Sequence, residues 1–216
     1  MSLRYRRLMS SYKKPVAGGG WWDLDGTITS CVAAYQPKGA ASYAASLVDL
    51  TGNGYTATEA AGSPGWDASY GWGGDYTNYL VTGINPESVN DTWTGIVRYT
   101  ELPNASGQYL FGKQSYINSA SRYWGILRHW NNRRWALGTT SYTNNTNLAA
   151  GTCALAGALA YRDGTHLGTI EDYGEYFIDT EVPMLRCSAK IQAIAFYNAV
   201  LTSDQVSALT TAMNAL

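Results

Sequence analysis

Turn signals divide this chain so finely that only short elements fit between them. "LTGNGY", "GSPGW", "GWGGDY", "INPES", "LPNASG", "HWNNRR" and "RDGTH" follow one another from residue 50 to residue 166. Each is rich in the Gly, Pro, Asn, Asp and Ser that tight reversals use. The runs between them, among them "TWTGIVRYT", "QYLFGKQ", "RYWGILRH", "RWALGTT" and "IQAIAFY", have the length and the β-branched or aromatic content of strands. Only 14% of residues are charged while 13% are aromatic, which suits a β-rich protein better than a helical bundle. The expectation is an all-β domain, a sandwich or a barrel.

Three segments sharpen that expectation. In "LAYRDGTHLG" the dipeptide Asp163-Gly164 tolerates positive φ at both central positions of a primed turn, so the flanking strands should be antiparallel neighbours. "KIQAIAFYNAV" is apolar on both alternating faces, Ile191/Ala193/Ala195/Tyr197 and Ile194/Phe196, as befits a central strand covered on both sides. A cover is available at once: "LTSDQVSALTTAMNAL" opens with a capping box from Thr202 to Gln205 and a staple from Leu201 to Val206. Val206, Leu209, Met213 and Leu216 then form one stripe at helical spacing, which predicts a surface-lying C-terminal helix.

Ahead of the domain, residues 1–20 read as a basic arm and glycine linker, with residues 21–216 as the folded unit. Arg4, Arg6, Arg7, Lys13 and Lys14 all precede Pro15, and no acidic residue precedes Asp23, so a net charge of -1 conceals a basic arm on an acidic body. Such an arm suits docking on an acidic partner or on nucleic acid, or stays solvated. It lacks the apolar run of a signal peptide, and no segment is long enough to span a bilayer. Cys31, Cys153 and Cys187 are widely spaced without a CxxC pair, so they read as buried free thiols.

In order along the chain, "VDLTGNGYTAT", "GWGGDYTNYLVTGI", "TWTGIVRY", "AYRDGTHLGT" and "IQAIAFYNAVLTSDQVSAL" resemble laminin-G-like members of the concanavalin A-like lectin/glucanase superfamily. The resemblance covers roughly residues 21–216 and implies a two-sheet antiparallel jelly-roll sandwich with a short C-terminal helix. "CVAAYQPKGAASYAASLVDL" resembles a variant met in bacteriophage proteins, which implies a virion-surface or tail-associated structural protein. In that setting the arm docks on other virion proteins, the protein is a homo-oligomer within an assembly, and lysis releases it without a signal peptide. A cellular carbohydrate-binding module is the alternative.

The superfamily also contains retaining glycoside hydrolases, whose signature sets Glu, Asp and Glu at alternating positions of one strand. "FIDTEV" offers Asp179 and Glu181 on a common face, but Phe177 stands where the first Glu belongs. In "EDYGE", an extended Glu171 and Glu175 would be separated by roughly 13 Å, against the ~5 Å of a retaining pair. His129 and His166 sit beside turns with no local partner motif. No catalytic residue and no cofactor is assigned.

Binding remains, and "RYWGILRHWNNRRWALG" supplies sugar-stacking aromatics beside Arg and Asn. With Asn131-Asn132 as its turn, Trp124, Ile126, Arg128 and Trp130 share one face, and Tyr123, Gly125, Leu127 and His129 the other. The returning strand sorts Arg133, Trp135 and Leu137 from Arg134, Ala136 and Gly138. The base of this hairpin is expected in the core, through Leu127 with Leu137 or Ile126. Its tip, Trp130, Arg133 and Arg134 with Trp135 beside them, is a glycan contact surface or a packing contact with a neighbouring loop or subunit. Some family members bind calcium near the sandwich rim. Asp49 and Asn53 in "DLTGN" are the nearest match, but two side-chain ligands fall short of the six to eight oxygens calcium takes, and a turn cap explains them equally. No metal site is assigned.

Overall fold

The computed structural model describes residues 19–24, 26, 28–75, 77–85, 92–100, 108–117, 120–129, 132–138, 140–144, 149–171 and 181–216. Of residues 108, 113–117, 120–123, 128–129, 132–133, 138 and 144 it describes the backbone alone. The arm residues Arg4, Arg6, Arg7, Lys13 and Lys14, and Trp130, lie outside the described residues.

Two antiparallel sheets face each other across the core. The first contains β1 (Cys31–Tyr35), β3 (Gly65–Asp67), β4 (Gly71–Gly73), β6 (Thr94–Thr100), β11 (Gly151–Ala156), β12 (Leu159–Arg162), β13 (Thr165–Thr169) and β15 (Lys190–Tyr197). Its order is β13-β12-β11-β6-β15-β4-β3, and β1 shares the β4 side of β15 farther along that strand. The second contains β2 (Thr58–Glu59), β5 (Leu80–Val81), β7 (Gln108–Ile117), β8 (Ala120–His129), β9 (Asn132–Gly138), β10 (Thr140–Asn144) and β14 (Pro183–Arg186), in the order β10-β9-β8-β7-β14-β5-β2. A single-turn helix, α1 (Tyr43–Ser46), follows β1, and α2 (Ser203–Asn214) closes the chain. This is the expected jelly-roll sandwich.

The tight hairpin forms as its sequence requires. Arg162 pairs with Thr165, and Asp163 and Gly164 between them take φ of 47° and 79°. β15 is covered on both faces, with one departure from simple alternation. A register shift between Ile191 and Ala193 inserts Gln192, so Ile191 joins Ile194 and Phe196 in the main core, while Ala193, Ala195 and Tyr197 face outward. Val206, Leu209 and Met213 of α2 cover that outward face, together with Trp21, Trp22, Leu24 and Ile28. Tyr197 Oη donates to the Trp22 carbonyl (2.8 Å), and Trp21 Nε1 to Gln36 Oε1 (3.1 Å).

The helix starts where the sequence places it. Thr202 Oγ1 accepts from Gln205 N (3.2 Å), and Gln205 Oε1 accepts from Thr202 N (2.9 Å), a reciprocal capping box. Leu201 and Val206 are buried in the same cluster, which completes the staple. Thr202→Ala should cost about 1 kcal/mol in urea denaturation, because it removes the acceptor of the Gln205 N–H. An unchanged midpoint would mean that packing alone holds the helix start.

The long hairpin in the second sheet reverses one residue earlier than expected. Its ladder runs to His129↔Asn132, so Asn132 is already in β9 and residues 130–131 lie between the strands. Where β8 pairs with β7, Gly112 (φ +98°) and Gly125 (φ +140°) are cross-strand partners. A Cβ on Gly112 would sit 1.8 Å from the Trp124 carbonyl oxygen, so glycine is required for these backbones to approach. On the core side of this approach the Phe111 and Trp124 rings meet, with centroids 5.3 Å apart.

Candidate functional site

The two tryptophans of the β8–β9 hairpin whose side chains are described, Trp124 and Trp135, lie in the core and not on a contact surface. Trp135 is 0% exposed, belongs to the main core and meets Tyr142 edge-on with centroids 6.1 Å apart. It is therefore removed from the expected glycan surface. The physical reason is the register: Ile126↔Trp135 and Trp124↔Leu137 form one face, and all four side chains are core. Leu127 is also buried, but on the opposite face, in a separate cluster with Tyr109 and Ala136. Arg134 is half-buried, and its Nε donates to Ser141 Oγ on the adjacent strand. The Arg133 side chain, like Trp130, lies outside the described residues.

A concave site lies elsewhere, where β1 begins. Thr29, Ser30, Cys31, Val32, Asn53, Tyr55 and Asn198 line a groove of about 670 Å³, within the usual size of a small-ligand site. Three separate segments meet there. The pairing Cys31↔Tyr197 and the bond from Asn198 N to the Ser30 carbonyl (3.1 Å) join the first wall to the end of β15. Asn53 Nδ2 donates to the Val32 carbonyl (2.9 Å) and the Cys31 carbonyl (3.2 Å), which fixes the opposite wall.

Asp49 organises that opposite wall. Its carboxylate is 5% exposed and accepts from Ala34 N (3.2 Å), Thr51 N (3.0 Å), Thr51 Oγ1 (2.8 Å) and Tyr55 N (3.3 Å). Thr51 Oγ1 in turn accepts from Asn53 N (3.2 Å). The "DLTGN" segment is thus a hydrogen-bonded turn, and these donors occupy both oxygens that a cation would need. Among the described residues, no group of three or more His, Cys, Asp or Glu is placed to hold a metal ion. Behind the groove, burial and the Asp49 carboxylate push the Tyr35 phenol up, and its hydroxyl donates to the Tyr55 carbonyl. Burial also raises Tyr197 well above an ordinary phenol.

The thiols divide by environment. Cys153 and Cys187 are 0% exposed, and burial pushes the Cys187 thiol up to about 12. Cys31, expected to be buried, is half-buried and lines the groove. Of the carboxylates weighed for glycoside cleavage, Glu171 and Glu181 are exposed, and Glu175 and Asp179 lie outside the described residues, as does Phe177. His166 is exposed, with its ring centroid 5.3 Å from that of its partner Tyr161, and the His129 side chain lies outside the described residues. The groove chemistry is therefore amide, hydroxyl, thiol and one phenol ring, a set suited to hydrogen-bonding a polar ligand.

Sequence reasoning singled out the "DLTGN" turn but missed Thr29, Ser30, Tyr55 and Asn198 as neighbours. Tyr55 closes a segment visible only as a turn, and Asn198 follows a strand visible only as core. Only the pairing of β1 with β15 brings them together.

Fold and groove together define a two-sheet antiparallel β-sandwich with a polar groove where β1 begins. No protein-family model and no curated protein matches the chain. Solved structures do. Trypanosoma rangeli sialidase superposes with a TM-score of 0.60 at 14% identity, over 86% of this chain and 33% of the sialidase. The ligand-binding domain of botulinum neurotoxin serotype D, solved with N-acetylneuraminic acid, gives 0.59 at 14% identity, over 84% of this chain and 50% of that one. Domain 4 of a GH43 extracellular arabinanase from Geobacillus stearothermophilus, solved with arabinotriose, gives 0.57 at 12% identity, over 84% of this chain and 98% of that domain. The chain thus spans a third to a half of the sialidase and toxin chains and nearly all of the arabinanase domain. At such identities the likeness is one of fold.

Proposed function

We propose that this chain is a non-catalytic carbohydrate-binding module. The observation that carries the proposal is the groove itself. Asn53, Asn198, Thr29 and Ser30 bring amide and hydroxyl side chains to a concavity of about 670 Å³ that Tyr55, half-buried against the main core, also lines. A sugar needs this combination: hydrogen bonds to its hydroxyls and an aromatic face against its C–H surface. Support comes from a sandwich partner of nearly equal extent, the arabinanase domain solved with arabinotriose. The bacteriophage virion setting is a proposal carried by the resemblance of residues 31–50 to bacteriophage proteins, with the basic arm as its docking element, and it stands or falls separately from the groove.

The test is a glycan array followed by calorimetry on the full chain. Tyr55→Ala and Asn198→Ala should each weaken binding of the selected sugar about tenfold or more, roughly the loss of one stacking or bidentate contact. Reducing-sugar release should remain at background with the same ligand. Sugar binding that survives both substitutions would move the site away from the groove.

A further inference from the structure

We infer that the groove selects neutral saccharides and rejects those that carry a carboxylate or a sulfate. The inference rests on the carbohydrate-binding reading and adds the ligand class. None of the seven lining residues is a cation. One carboxylate, in contrast, stands directly behind a wall, and a second lies near Tyr197, the chain neighbour of the lining residue Asn198.

On one side the Asp49 carboxylate accepts the backbone N–H of Tyr55, a lining residue, at 3.3 Å. On the other, Asp23 is 5% exposed and its charge acts on Tyr197. Tyr197 precedes the lining residue Asn198 and pairs with the lining residue Cys31. Asp23 Oδ1 is buried with no hydrogen-bond partner among the described residues. Donors from Ala34 of β1, from Thr51 and from the lining residue Tyr55 surround Asp49, so its charge is shared with them but no cation cancels it. An anion entering this space leaves water, finds no cation on the lining, and approaches two partly desolvated negative charges. A neutral sugar pays no such penalty, and the same amides and hydroxyls serve it.

Cys31 provides a readout confined to the groove, because it is half-buried there while Cys153 and Cys187 are 0% exposed. The experiment measures the alkylation rate of Cys31 by iodoacetamide in the full chain. Probes are neutral oligosaccharides, each paired with its sialylated, uronic or sulfated counterpart. Ligands held by the basic arm alone leave this rate unchanged. The neutral member of each pair should protect Cys31 at about tenfold lower concentration than the acidic member. The gap should narrow as salt rises from about 0.02 M to about 0.5 M, where screening shortens the reach of charge. Asn198→Lys, at an exposed position on the rim, should shrink or reverse the preference. Equal or better protection by acidic members in the unmodified chain overturns the inference and leaves the carbohydrate reading intact. An absence of protection by any sugar defeats both.

Discussion

Trp135→Ala is expected to destabilise the domain by about 3–5 kcal/mol, read as a shift of the urea midpoint. The side chain is 0% exposed and sits in the main core with Trp124, Ile126 and Leu137. Its removal leaves a cavity in a layer that β8, β9 and β10 hold rigidly by continuous pairing, so collapse around the gap is limited. Tyr142 loses its edge-to-face partner as well. The ring of Tyr142 also lies where a Cβ on Gly168 would fall, at 2.3 Å, so it bridges the last strands of the two sheets. Loss of Trp135 should therefore loosen that side of the sandwich. The comparison is Arg134→Ala, half-buried on the other face, for which a change of about 1 kcal/mol or less is expected. If the two substitutions cost the same, the assignment of faces in this hairpin is wrong.

That contrast shows where sequence reasoning reached and where it stopped. The division of the hairpin into two sets of alternating residues is a property of extended backbone and was legible. Which set faces the core was not, because each set contains apolar residues and arginines. Trp124, Ile126, Trp135 and Leu137 are core, while Leu127, Ala136 and Arg134 share the outward face. The choice is made by β7 and β10 on either side, far from any local pattern. The Asp163-Gly164 turn and the Thr202–Gln205 box were legible because every contact in them spans three residues or fewer. The bulge at Gln192 was hidden by the uniform apolarity of the strand around it. The groove was hidden for the same reason on a larger scale, since its walls meet only through the Cys31↔Tyr197 pairing.

The second large effect is expected at Asp49. Asp49→Ala leaves the N–H groups of Ala34, Thr51 and Tyr55 and the Thr51 hydroxyl without their acceptor. An unsatisfied buried donor costs about 1–3 kcal/mol, and water entering the space recovers part of it, so a net loss on the order of 3–5 kcal/mol should appear in denaturation. The damage should also reach the groove selectively. Asn53 and Tyr55 form one wall only while the turn holds them, so sugar protection of Cys31 should disappear even where the protein remains folded. Asp49→Asn separates shape from charge: its amide nitrogen faces donors where the carboxylate accepted them, so most of the loss should persist. Calcium tests the competing role for this side chain. A ligand bound only by the native state raises the midpoint in proportion to RT ln(1 + [L]/Kd). With both carboxylate oxygens committed to donors, millimolar calcium should leave the wild-type midpoint where it is. A calcium-dependent rise that Asp49→Asn abolishes would instead make this turn a metal loop, and the hydrogen bonds now ascribed to a structural anchor would have to open for the cation.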